Sequence, residues 1–191
     1  MDGTPRKSRR RLIAFVGAMG AGKSTAADYF VNYCGFQKLS FAKPLKDMMR
    51  AIPGITEEHI NGSLKEIPCD ILCGQSPRHA QQTLGTEWGR NQLGELFWVG
   101  LFAQQFNATM RDVVCDDCRF PNEAALIQAL GGEIWQIRRD EAEEALKLSE
   151  TDHPSERHWP LFECEGQIHN NRTVYELQRQ LERVMQRPYI Q

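Results

Sequence analysis

Gly17-Ala-Met-Gly-Ala-Gly-Lys-Ser24 fits the spacing G-x-x-x-x-G-K-[ST] without a gap. Those residue types at those intervals suit one chemistry, the gripping of a phosphate chain. The loop positions Gly17, Met19, Gly20, Ala21 and Gly22 let backbone N–H groups approach phosphate oxygens closely, because glycines present no side chain to block them. Lys23 supplies a point charge for the β- and γ-phosphates, and the Ser24 hydroxyl is placed to ligate Mg²⁺, so ATP and Mg²⁺ are the implied cofactors. A glycine-rich turn fitting the pattern by chance is the bland alternative. It is disfavoured by the flanks, an apolar run Leu12-Ile-Ala-Phe-Val16 that reads as a buried strand and a helical stretch from Ser24 to Tyr33. The start of that helix adds unpaired amides and the positive end of its dipole.

A phosphate loop alone fits many functions, and the surplus of basic groups narrows them. Arg78, Arg90, Arg119, Arg138 and Arg139 are too many for one nucleoside triphosphate and suit two phosphorylated ligands meeting end to end, since guanidinium forks bind phosphate oxygens bidentately. Each arginine taken singly is otherwise a solvated surface group. Asp117 ends an apolar stretch and has the position of a second carboxylate near Mg²⁺, directly or through water. Its neighbour Asp116 is sent to the opposite face by strand alternation. The polar segment after Arg139, about 139–159, is read as a mobile lid that closes over the site.

The elements that must position these groups alternate between strands and helices. Strands are expected at 12–16, 36–41, 112–117, 133–137 and 166–169, with helices after each. Pro44 opens a helix running to Ile52; Pro121 opens another, with Ala124, Ile127 and Leu130 turned inward; Thr173 and Glu176 form a capping box for the last, whose buried stripe is Val174, Leu177, Leu181 and Val184. Between the second and third strands lies a helical insertion, about 43–110, that is loop-rich from 56 to 77 and helix-like over 78–90 and 95–106. Leu96, Phe97, Val99, Leu101, Phe102 and Phe106 give it a broad apolar surface. The fold class is therefore α/β, a mostly parallel five-stranded sheet with helices on both faces and right-handed crossovers. Ligands collect at the carboxyl ends of such strands, which places Gly17, Phe41, Asp117, Arg138 and the Asn170-Asn171 pair on one rim, Asn171 on the donor side.

At 191 residues the chain is one domain, 12–191, behind a basic tail 1–11. The net charge of −2 provides no global field for nucleic acid, and the cluster from Arg6 to Arg11 is read as a solvated tail. No stretch approaches a membrane span, and the basic start lacks a signal-peptide core, so a cytoplasmic location is expected. The six cysteines are then reduced thiols. A zinc site at Cys115 and Cys118 is set aside, because Cys115 lies inside an apolar run and no second pair has the spacing.

Gly17 to Thr25, Leu39-Ser-Phe-Ala-Lys-Pro-Leu-Lys46, Leu84-Gly-Thr-Glu-Trp-Gly-Arg90, Asp117-Cys-Arg-Phe-Pro-Asn-Glu-Ala124 and Ile137-Arg-Arg139 together resemble the deoxynucleoside monophosphate kinases of bacteriophages. The resemblance implies an adenylate-kinase-like fold and transfer of the ATP γ-phosphoryl group to a deoxynucleoside 5′-monophosphate. It implies donor and Mg²⁺ roles for Lys23, Ser24 and Thr25, and an acceptor side at Phe41, Lys43, Lys46, Arg78, Gln82, Arg90 and Arg119. Glu87, Trp88 and Trp98 would shape the base pocket. Lys23, Asp117, Arg119, Arg138 and Arg139 would act on the transferring group. A phosphate dianion is already a nucleophile, so no catalytic histidine is expected from His79, His153, His158 or His169. Partners are then small molecules, with a second copy of the chain as an open option. Two alternatives stand beside this reading: another small-molecule kinase of the same fold, such as a phosphomevalonate kinase, and a nucleotide-dependent switch or binding module.

Overall fold

The computed structural model describes residues 10–148 and 159–187. His153, His158 and much of the expected lid and basic tail lie outside the described residues. Two compact units make up the chain, Met1–Leu39 with Phe106–Gln191, and Ser40–Gln105.

The first unit is built on five strands, β1 Leu12–Val16, β2 Gln37–Lys38, β3 Val113–Cys115, β4 Glu133–Arg138 and β5 Gly166–His169, in the order β2-β3-β1-β4-β5. Every pair is parallel; Ile13 stands opposite Val114 on one side and Glu133 on the other. All five residues of β1 are buried. A central parallel strand covered on both faces needs such an unbroken apolar run. Helix α1, Lys23–Cys34, packs on the sheet through Ala26, Ala27 and Phe30. Phe15, Phe30 and Phe36 meet there, ring centroids 5.6 and 5.0 Å apart.

The second unit holds α2 Lys43–Arg50, the short turn α3 Glu57–Ile60, α4 Pro77–Thr83 and most of α5 Phe97–Ala108. Met49, Ile55 and Ile60 form its small core, with Ile52, Leu72, Ala80 and Leu84 around them. From Leu84 to Leu93 the backbone winds as a π-helix, where an ordinary helix was expected. Back in the first unit, α6 Pro121–Ala129 and α7 Asp140–Leu148 flank β4, and α8 Val174–Gln186 follows β5. α8 packs against α1. The crossovers β1–α1–β2 and β3–α6–β4 run in opposite directions across the sheet, so right-handed connections put these two helices on opposite faces.

Several expectations are corrected. β2 spans two residues rather than six: it can pair only with the three-residue β3, and the ladder ends where the Leu39 N–H donates to Val114 O at 3.0 Å. β3 likewise stops at Cys115, so Asp116 and Asp117 follow the strand. Val174 is 58% exposed, whereas Leu177, Leu181 and Val184 are buried; as the first residue of α8 it precedes the turn that faces the sheet. Leu130 is half-buried at the end of α6, and Leu96 is exposed ahead of α5, whose buried residues are Trp98, Val99, Phe102 and Phe106. Arg10 and Arg11 do not belong to a solvated tail. Arg10 donates to the carbonyls of Phe106 and Thr109 and lies over the Phe106 ring. Arg11 is 9% exposed and pairs with Glu133 at 2.8 Å.

Candidate active site

The phosphate loop leaves the end of the central strand and is bedded on its neighbours. Gly17 has a φ of 144°, and a Cβ there would collide with the carbonyl oxygen of Ile137 at the end of β4. A Cβ on Gly22, φ 103°, would strike the Asn170 amide. The same Asn170 side chain donates to Ala21 O at 2.9 Å, tying β5 to the loop. Ala18 and Ala21 are buried while Met19 is 63% exposed. These glycines thus serve close approach to the sheet as well as to a ligand.

α1 opens behind Gly22 with neither a side-chain cap nor an acidic residue in its first turn, so its leading amides and the positive end of its dipole suit an anion. Ser24 and Thr25 are exposed at this turn. The Lys23 ammonium donates to the carbonyls of Gly17 and Ala18 at 2.7 and 2.8 Å, arching back over the loop. The loop thereby offers donors, one cation and two hydroxyls, a set that fits a polyphosphate with Mg²⁺.

Two aspartates follow β3, and their side chains take different partners. Asp116 pairs with Lys38 at 2.7 Å; burial opposes the charge on Lys38, but Asp116 and Asp28 outweigh it and raise its pKa. Asp117 accepts the Cys115 thiol at 3.3 Å. Burial, with the Asp117 charge behind it, pushes the Cys115 thiol well above its ordinary value, and burial does the same to Cys118 with help from Glu123. Both thiols are therefore protonated at neutral pH.

Arg119 stands before α6, and its place is set by a residue that the sequence reading passed over as a site residue. Glu123, 3% exposed, accepts the backbone N–H groups of Arg119 at 2.8 Å and Phe120 at 3.1 Å. The signal was present as a proline-opened helix with Glu at its third position. Arg138 and Arg139, one and two residues beyond the carbonyl that abuts Gly17, are engaged by α7. Arg138 makes two bonds to Glu143, at 2.8 and 2.7 Å, and Arg139 pairs with Glu141 at 2.8 Å. The Arg138 hydrogen bond, with its charge, holds the Glu143 carboxyl below the usual range. Asn171, expected on the donor side, accepts the Asp140 N–H at 2.8 Å and so anchors the start of α7.

The acceptor-side residues Phe41, Lys43, Lys46, Arg78, Gln82, Glu87, Trp88, Arg90 and Trp98 all belong to the second unit. Lys43 pairs with Asp47 at 2.5 Å, and Arg78 with Glu66 at 2.7 Å. Lys46 and Gln82 are half-buried on α2 and α4. Glu87 and Arg90 lie on the π-helix, and Arg90 reaches Glu95 O at 3.4 Å. Two expectations change here. Phe41 is 3% exposed and stacks on Phe102, centroids 4.2 Å apart. Trp98 is 3% exposed and gives its N–H to Gly85 O at 2.8 Å. Both are packing residues that shape the unit from within. Trp88, in contrast, is 38% exposed, its ring braced edge-on by Phe97 at 5.7 Å.

A family model described as deoxynucleotide monophosphate kinase matches residues 63–181. The phosphate loop lies outside that match, so its geometry is an independent observation. A putative deoxynucleotide monophosphate kinase of Acanthamoeba polyphaga mimivirus is 33% identical over 185 residues, covering 89% of this chain and 93% of the relative. A deoxynucleoside-5′-monophosphate kinase of Escherichia phage T5 is 24% identical over 209 residues, covering 76% and 83%. In fold, the chain is similar to a shikimate kinase from Acinetobacter baumannii, with a TM-score of 0.51, 11% identity and coverage of 94% and 93%. The motifs Leu84–Arg90, Asp117–Ala124 and Ile137–Arg139 fall within the matched range, the block Leu39–Lys46 precedes it, and the chain belongs to the deoxynucleotide monophosphate kinase family.

Proposed function

We propose that this chain transfers the γ-phosphoryl group of ATP to a deoxynucleoside 5′-monophosphate, giving ADP and the diphosphate. The observation that carries the reading is a phosphate loop of the required build, Lys23 arched over it and α1 uncapped behind it, in a member of this family. The acceptor's phosphate is already an oxygen nucleophile, so the protein's work is alignment and charge neutralisation. The amides of the loop and of the first turn of α1 would cradle the donor phosphates, with Lys23 at the β- and γ-oxygens. Ser24 and Asp117 would hold Mg²⁺, which when bound neutralises phosphate charge. Arg78, Arg90 and Arg119 are assigned to the acceptor phosphate, Trp88 to the base, and Arg138 and Arg139 to the transferring group. That last role requires them to exchange Glu143 and Glu141 for phosphate. ATP and free nucleotides are cytoplasmic solutes, and the reaction is assigned to that compartment.

The test is ADP release by purified protein with ATP and Mg²⁺ across all deoxy- and ribonucleoside monophosphates, with phosphomevalonate beside them. Turnover with at least one deoxynucleoside monophosphate is expected, and none with phosphomevalonate. Release with no nucleotide, or ATP hydrolysis indifferent to any acceptor, would overturn the reading. Lys23→Ala is expected to lower kcat by at least about a hundredfold, as loss of a charge that acts in the transition state, with an unchanged melting temperature. Near-normal turnover would remove Lys23 from the mechanism.

A further inference from the structure

The first unit carries a second basic feature, away from the phosphate loop. A cleft of about 460 Å³ runs along α8 beside the edge strand β5, lined by His169, Arg172, Glu176, Arg179, Gln180 and Arg183 among others. Glu176, Arg179, Gln180 and Arg183 recur at three- and four-residue intervals, so they share one face of the helix. The opposite face is the buried Leu177, Leu181 and Val184.

The floor of this cleft is fixed. The Gln180 amide donates to His169 O at 2.7 Å and its oxygen accepts the His169 N–H at 3.0 Å. Those are edge-strand groups that would otherwise face solvent. Arg172 is held on the rim by Glu176 at 3.2 Å. Arg179 and Arg183 are left exposed, four residues apart, with no partner for either guanidinium among the described residues. Like charges at that spacing repel, and a chain of net charge −2 does not concentrate them there through general basicity.

Paired guanidinium forks above a rigid polar floor match the geometry of phosphate oxygens, and the volume lies within the range of small-ligand pockets. Asn171, expected on the donor side, lines the end of the cleft next to β5, and Asn170 faces Ala21; at 1.5 Å per residue Arg179 and Arg183 lie roughly 9 and 15 Å down the helix from Thr173, away from the strand ends. The Glu176 carboxylate inside the cleft opposes an anion, but Arg172 pairs with it at 3.2 Å, which leaves Arg179 and Arg183 as the surplus charge.

We propose that this cleft is a second anion site, taking the phosphate chain of a nucleotide or of a free polyphosphate independently of the phosphate loop.

Calorimetric titration of the full chain with inorganic tripolyphosphate, ATP and dATP tests this. Two classes of site are expected in the wild type. Arg179→Ala/Arg183→Ala should weaken one class at least tenfold and leave basal turnover unchanged. Lys23→Ala should remove the other class. Rising salt should weaken the second class, as its charges are exposed. The lysine version, Arg179→Lys/Arg183→Lys, keeps charge without the fork and should fall between wild type and the alanine pair. Nucleotides binding the second class more tightly than tripolyphosphate would identify a nucleotide site; equal affinity would identify a site for the phosphate chain alone. One class of site, or two that the folded arginine variants leave unchanged, would overturn the proposal. So would a single-stranded oligodeoxynucleotide that binds through Arg179 and Arg183 where the small anions do not.

Discussion

A single amide at Asn170 ties the phosphate loop to β5. Its donor reaches Ala21 O at 2.9 Å, in the middle of the loop, and its bulk fills the space that a side chain on Gly22 would need. A loop whose function is to present backbone N–H groups at fixed positions is sensitive to such a tether, because donors contribute most when no reorganisation is required at the moment of reaction. Asn170→Ala removes one hydrogen bond of about 1 kcal/mol net and leaves β5 itself paired with β4. The expected result is a loss of about five- to tenfold in kcat/KM for ATP with little change in melting temperature, read by steady-state kinetics at fixed acceptor. An unchanged kcat/KM would show that the loop holds its shape without this bond. Asn170 stands on the expected rim, yet the sequence carries no signal of its role: the partner is a backbone carbonyl 149 residues away. Glu123 differs, since its bonds to Arg119 and Phe120 are local and the helix-start pattern contains them.

At the scale of elements, what was legible followed from local periodicity, and what was not depended on neighbours. The buried run of β1, the loop and α1 are each written in consecutive residues, and the alternation of strands and helices implied the parallel sheet. The two-residue length of β2 was hidden, because it is set by the length of β3. The π-helix Leu84–Leu93 was hidden for another reason: its i→i+5 bonding breaks the 3.6-residue spacing on which helix reading rests, and such segments are rare and frequent at functional sites. Its glycines explain how it packs. Gly89 is buried, and a Cβ there would stand 2.5 Å from the Trp98 indole nitrogen, which is itself fixed by Gly85 O. Gly89→Ala is therefore expected to destabilise the protein by about 1–3 kcal/mol, the cost of overpacking, measurable by urea denaturation; a neutral result would mean that Trp98 can move. α7 makes a different prediction. Glu143 is held below the ordinary carboxylate range by the hydrogen bond from Arg138, assisted by its charge. A depressed carboxylate stabilises above its unfolded pKa of about 4.3, and that contribution fades as pH falls through the lower folded value. The urea midpoints of wild type and Glu143→Gln should thus differ at neutral pH and converge in acid. A gap that stays constant with pH would assign the difference to packing.

For the first unit as a whole, the most consequential contact is made by a residue that composition alone assigned to a tail. Arg11 lies one residue before β1. Its guanidinium meets Glu133 of β4 through two bonds at 2.8 and 3.1 Å, and the Val184 and Met185 carbonyls near the end of α8 at 2.7 and 3.0 Å. Its backbone N–H donates to Asp112, just before β3, at 2.7 Å. One side chain therefore joins the amino-terminal edge of the sheet to the carbonyl end of the last helix, where a cation also suits the dipole. The run from Arg6 to Arg11 reads as solvated because a charge cluster gives no hint that one member has a partly buried carboxylate waiting 122 residues on. Removing Arg11 leaves a partly buried carboxylate with only the Trp135 N–H at 3.1 Å, at a cost below the ~3–5 kcal/mol of a fully buried pair but still a sizeable share of the stability of an ordinary domain. Arg11→Ala should lower the urea midpoint strongly, and Glu133→Gln should lower it less, because the amide still accepts from the guanidinium. Arg11→Ala/Glu133→Ala separates the explanations: if the pair itself is responsible, the double variant is more stable than the sum of the single losses requires. Strict additivity would instead assign the effect of Arg11 to its bonds with α8.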